Sequence, residues 1–137
     1  MPKANSSFRR INGGPTEALR RIDQGAREGL WAQAQVVYNA WKRQMALHHG
    51  GFTSGDFTTG AAVGHITIGP VLALGRFGAY AIQVGTDRLY HLFWELGHMN
   101  IFSRQYERVE TLRPAVEDTT IEQQAAFTRR FRAAVGA

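Results

Sequence analysis

The sequence predicts an α+β fold in which a long N-terminal helix and a C-terminal helix pack on a small, mainly antiparallel sheet of three to four strands. Three observations predict it. Apolar residues recur at three- and four-residue steps from Pro15 into the forties, a second such stripe runs to the C-terminus, and short β-branched or alternating segments lie between them, divided by Gly-rich turns.

Residues 1–14 mix Lys, Asn, Ser, Arg and Gly with only Phe8 and Ile11 as apolar anchors, so they read as a flexible arm preceding a single domain at 15–137. In the first helix Leu19, Ile22, Ala26, Leu30, Ala34, Val37, Trp41 and Met45 are expected on one face. Pro15 suits a first helical turn and Gly50-Gly51 a stop. Gly25 and Gly29 each cost a helix about 1 kcal/mol relative to Ala, which points to a bend or to close approach of another backbone. Residues 50–61 have the Gly, Ser, Thr and Asp content of a loop.

Strands are expected at His65–Ile68, at Ala79–Val84, where Tyr80, Ile82 and Val84 alternate with Ala81 and Gln83, and at the apolar run Tyr90–Leu96. Residues 98–111 are polar and without period, in the manner of a functional loop. The last helix begins at Pro114 or Thr120, with Thr119-Thr120-Ile121-Glu122 able to form a capping box. Val116, Thr120, Gln124, Phe127, Phe131 and Val135 would share its face.

Composition excludes several classes of function. A chain of 137 residues can bury a full core, and without cysteine it has no disulfide, thiolate nucleophile or cysteine metal site. No segment nears the roughly 18 apolar residues of a membrane span, and no apolar signal region follows the charged start, so a soluble, unprocessed protein without membrane contact is expected. The net charge of +5 is uneven: residues 1–49 carry eight Lys/Arg against three Asp/Glu, and residues 50–100 two against three. Arg9, Arg10, Arg20 and Arg21 are therefore candidate nucleic-acid contacts, although Glu17 and Asp23 stand three or four residues before Arg20, Arg21 and Arg27 and can pair with them instead.

The stretch YHLFWELGH, residues 90–98, sets one carboxylate among apolar side chains. Such a group needs a partner or a task. On a helix His91, Glu95 and His98 would share a face as metal ligands, whereas on the expected strand His98 points away from the other two, so no metal is expected. Arg113, in Leu112-Arg113-Pro114-Ala115, is the natural ion-pair partner for Glu95. His48 and His49 suit the C-terminal end of the first helix. No serine sits in a nucleophile turn, no glycine group makes a phosphate loop, and Trp31, Trp41, Tyr38 and Tyr90 are expected to pack rather than stack on bases. Neither catalysis nor a cofactor is expected.

Thr59-Gly60, Val84-Gly85-Thr86, Tyr90 with Glu95-Leu96-Gly97, and Leu112-Arg113-Pro114-Ala115 occur in an order that resembles the neck or tail-completion proteins of long-tailed, siphovirus-type bacteriophages, also found in prophages and gene transfer agents. The likeness covers residues 15–136. The chain departs from the family pattern at Ala61-Ala62-Val63, His98 and Glu110-Thr111. The resemblance implies an α+β subunit of a homo-oligomeric ring at the head-to-tail junction of the virion, acting as neck, tail-completion or tail-terminator protein and assembled in the host cytoplasm. It implies other neck proteins and the tail-tube protein as partners, with packaged DNA as a candidate neighbour in the lumen. Glu95, Gly97, Arg113 and Pro114 would then be assembly residues, with Glu95 and Arg113 joined at the base of loop 98–111.

Overall fold

A computed structural model describes residues 14–47, 61–75, 78–88, 92, 95–99 and 103–136. The N-terminal arm, most of loop 50–61, Thr59-Gly60, His48, His49, Tyr90 and His91 lie outside the described residues. The fold is α+β. Helix α1 (Gly14–Leu47) is followed by a short 3-10 turn (Ala61–His65), strands β1 (Ile66–Ile68), β2 (Leu72–Ala73), β3 (Tyr80–Ala81), β4 (Val84–Thr86), β5 (His98–Met99) and β6 (Tyr106–Glu107), then helices α2 (Leu112–Glu117) and α3 (Thr120–Val135).

At 34 residues α1 is about 51 Å long and serves as the spine to which most other elements attach. Its main partner is α3, which runs antiparallel to it: Gly25 lies against Phe131 and Gly29 against Phe127. A Cβ on Gly29 would come 2.8 Å from the Phe127 ring and 3.1 Å from the Phe127 carbonyl oxygen, and one on Gly25 would come 3.0 Å from the Phe131 ring. The two glycines thus mark close approach of a second backbone. Phe127 and Phe131 stack on one another at 5.9 Å.

That approach corrects the expected face of α1. Ala34, Val37, Trp41 and Met45 are buried as predicted, but farther toward the N-terminus the buried residues are Ala18, Gly25 and Gly29, while Leu19 is 67% and Ile22 45% exposed. The contact stripe shifts by about one residue around the helix, ~100°. Small side chains win there because α3 comes too near for large ones. On α3 the face turns similarly. Phe127, Phe131 and Val135 are half-buried, but Val116, Thr120 and Gln124 are exposed and Gln123 is buried in their place.

Gln123 is tolerated because its amide is satisfied. Its Nε2 donates to the Val116 carbonyl at 2.8 Å and to Thr119 Oγ1 at 2.9 Å, and its Oε1 accepts from Gln33 at 3.5 Å. The expected capping box is not formed: the Thr119 hydroxyl bonds back to the Ala115 carbonyl at 2.6 Å and that of Thr120 to the Glu117 carbonyl at 3.0 Å. Both candidate starts are used. Pro114 sits in the first turn of α2, where no intrahelical N–H is needed, and α3 begins at Thr120.

The strands form three antiparallel pairs, β1 with β4, β2 with β3 and β5 with β6. The first two are parts of one long hairpin. Ile68 faces Val84 and Leu72 faces Ala81, so residues 69–71 oppose only residues 82–83, and the ladder is interrupted at Pro70, which has no N–H to give. Gly69 still donates to the Gln83 carbonyl at 2.7 Å.

The largest correction concerns the segment expected to be a strand at Tyr90–Leu96. Leu92, Glu95 and Leu96 are helical, and Gly97 leaves the helix at φ 91°, a conformation that only glycine adopts at low cost. Within loop 98–111 β5 and β6 pair antiparallel, His98 facing Glu107 and Met99 facing Tyr106. The core lies where α1, β1 and α2 meet, around Ala40, Trp41, Met45, Ile66 and Ala115, with Val84, Val109 and Leu112 packed against it.

Candidate functional site

A groove of ≈ 790 Å³ opens beside that core, between the end of β4, the helical residues Leu92, Glu95 and Leu96, and the start of α2. Trp41, Val84, Leu92, Leu96 and Leu112 give it an apolar lining. Asp87, Arg88, Glu95, Arg108, Glu110 and Arg113 supply three charges of each sign.

The geometry centres on Glu95. Its Oε1 accepts from the backbone N–H of Thr111 at 2.6 Å, the Thr111 hydroxyl at 2.5 Å and the backbone N–H of Leu112 at 2.7 Å. These N–H groups open α2 and have no carbonyl of their own helix to bond. A carboxylate is the best acceptor for them, because it adds its charge to the positive end of the helix. Thr111, the residue before α2, makes no side-chain cap of its own, so the cap comes from 16 residues earlier in the chain.

The Thr111 hydroxyl is used twice. It donates to Glu95 and accepts the indole N–H of Trp41 at 2.8 Å. Trp41 is 2% and Thr111 3% exposed, so the series indole, hydroxyl, carboxylate ties the C-terminal third of α1 to the start of α2 and to Glu95 at the edge of the core. Two further bonds hold the end of the segment: Arg108 Nε donates to the Glu95 carbonyl at 3.0 Å and the Tyr106 hydroxyl to the Leu96 carbonyl at 2.7 Å. A side chain on Gly97 would overlap that tyrosine hydroxyl, so its glycine is required by space as well as by φ.

The expected ion pair between Glu95 and Arg113 is not the one formed. Arg113 pairs with Glu110 at 3.4 Å and with Glu117 at 3.2 Å, both on exposed surface, and Arg108 also pairs with Glu110. Backbone N–H groups win the carboxylate because they are already in place, whereas a bridge to arginine would freeze a long side chain. Arg113 lines the groove without anchoring it. Pro114 lies behind it in α2, where its carbonyl accepts from Asp118 N–H at 2.9 Å.

At the other end of the groove the His65 ring stands 3.3 Å from Asp87 and accepts from Arg88 Nε at 3.2 Å. No group of three potential metal ligands occurs among the described residues. Of the candidate nucleic-acid contacts, Arg9 and Arg10 lie outside the described residues, and Arg20 and Arg21 both bind Glu17, at 2.7 and 3.0 Å. Those hydrogen bonds hold the Glu17 carboxyl at about 2, well below the usual 4.5.

Thr111, Trp41, Arg108 and Tyr106 were not singled out by sequence as site residues. A threonine immediately before Leu-Arg-Pro is a helix-start signal, but its link to Glu95 and Trp41 exists only in three dimensions. Val84, Gly85, Thr86, Glu95, Leu96, Leu112 and Arg113, drawn from three separated sequence motifs, all line the same groove. Comparison with family models, curated proteins and solved structures finds no match.

Proposed function

We propose that the protein is a structural virion component of the head-to-tail junction, a neck, tail-completion or tail-terminator subunit that assembles into a ring joining or capping the tail tube. The observation that carries the reading is the convergence of those three motifs on one groove whose polar groups are engaged in holding the fold. In this reading the chain is not an enzyme. Glu95 caps a helix, Asp87 pairs with His65 and Arg88, and Glu110 pairs with Arg108 and Arg113, which leaves these carboxylates tied to scaffolding.

A ring of identical subunits joins one face of each copy to a different face of the next, so each subunit needs a rigid acceptor and an apolar surface beside it. The groove offers both. Leu92, Leu96, Met99 and Tyr106 are exposed within it or next to it, and Glu95 fixes the segment that carries the first two. The alternative reading, a basic nucleic-acid module built on Arg9, Arg10, Arg20 and Arg21, gains no support from Arg20 and Arg21, which both turn to the Glu17 carboxylate.

Negative-stain imaging of the purified protein mixed with a tail-tube protein tests the proposal. Discrete rings, or density at one end of each tube, support it. Unattached tubes with no ring in any field contradict it.

A further inference from the structure

A second groove, of ≈ 750 Å³, lies on another side of the molecule between α1 and α3, with Val71 of the long hairpin at its edge. Its charge is unbalanced. Arg27, Arg129 and Arg130 line it against one acid, Glu28, and residues 123–136 contain three arginines and no Asp or Glu. Arg27 is shared with Asp23 at 3.1 Å and lies over the Tyr80 ring, and Glu28 accepts from Gln24 at 2.7 Å. Among the described residues Arg129 and Arg130 are exposed and have no acidic partner. The antiparallel packing of Gly25 and Gly29 on Phe131 and Phe127 sets the register that holds these arginines across from α1.

Trp31 also lines this groove, 42% exposed. A large ring left partly in water next to unpaired guanidinium groups is the combination that binds a flexible polyanion carrying planar groups. The cations take the phosphates and the ring takes an unstacked base. We propose that the α1–α3 groove binds single-stranded nucleic acid, with phosphates at Arg129 and Arg130 and one base on Trp31. A duplex keeps its bases stacked on one another and would use the arginines alone, and an acidic peptide would leave the ring unused. The site shares no residue with Arg9, Arg10, Arg20 and Arg21 and does not depend on ring assembly.

The test is fluorescence anisotropy of the full chain with labelled oligo-dT and oligo-rU of about 15 nucleotides, and with a matched duplex, over a salt series. Two single-strand phosphate contacts give a log-affinity against log-salt slope of about −1.4. Arg129→Gln with Arg130→Gln should bring that slope close to zero. Trp31→Ala should weaken single-strand binding about tenfold with the slope unchanged, and abolish the fraction of intrinsic fluorescence that the oligonucleotide quenches. Arg20→Gln with Arg21→Gln should change neither. Such a response from either oligonucleotide supports the proposal. It is overturned if no binding is detected at about 50 mM salt, if the Arg129/Arg130 variant keeps the full slope, or if Trp31→Ala binds like the parent, as it would for a generic polyanion surface.

Discussion

Replacing Glu95 separates a helix cap from an exposed ion pair. In Glu95→Ala two backbone N–H groups and the Thr111 hydroxyl lose their acceptor. A buried donor left without a partner costs about 1–3 kcal/mol. Because Glu95 is half-buried and water can reach part of the site, the expected loss is about 2–4 kcal/mol, at or above the top of the ~0.5–2 kcal/mol range of single N-cap deletions because three donors share the one acceptor. Glu95→Gln keeps an oxygen and the shape but removes the charge, for a loss of about 1–2 kcal/mol. Arg113→Gln disturbs only exposed pairs and should cost under about 1 kcal/mol. At about 4 °C per kcal/mol for a domain of this size, thermal unfolding followed by circular dichroism should place the variants in the order Ala, Gln, then Arg113→Gln, from least to most stable. Equal losses for Glu95→Gln and Arg113→Gln would refute the cap and restore the ion pair.

Gly29→Ala should destabilise by about 1–2 kcal/mol although Ala is the better helix former, because its methyl meets the Phe127 ring and carbonyl, and Gly25→Ala should cost less; a gain of about 1 kcal/mol in urea unfolding would contradict the close packing. Thr111→Val removes one hydrogen-bond acceptor from the Trp41 indole and one donor from Glu95 and should lose about 1–3 kcal/mol, most of it recovered by Thr111→Ser; if Ser and Val behave alike in the same melts, the hydroxyl series is not a support. The Glu17 carboxyl is held at about 2 by hydrogen bonds from Arg20 and Arg21, below its ordinary 4.5. Its contribution to stability is therefore complete above pH 4.5 and is lost as pH falls toward 2. An NMR titration should find that low midpoint, and Glu17→Gln should flatten the acid limb of stability in that window, whereas an ordinary midpoint would show that the pairs do not persist in solution.

The legible parts of this fold were those written in local pattern. Helix α1, its C-terminal face from Ala34 to Met45, the strand at Ile66–Ile68 and a helix start near Pro114 follow from periodicity, β-branching and proline chemistry. Gly25 and Gly29 announced a close approach, but not that it would displace Leu19 and Ile22 from the buried face, since a glycine carries no apolar signal. The segment around Glu95 was misread because a short apolar run between glycines fits strand and helix alike. Leu92 and Leu96 at helical spacing, beside a carboxylate that a helix start could use, were the overlooked sign. Glu95 stood out by its chemistry, yet its true partners could not be read locally, because they are backbone groups 16 and 17 residues away. Gln123 was hidden for the converse reason: a polar residue is buried only because Gln33, Val116 and Thr119 complete it.

Sedimentation velocity of the full chain, alone and with tail-tube protein, bears most directly on the proposed ring. A closed oligomer of the 15.3 kDa subunit, or its cosedimentation with tubes at a fixed and small number of copies per tube, is the expected result. A monomer at every concentration that leaves the tubes unaltered would contradict it.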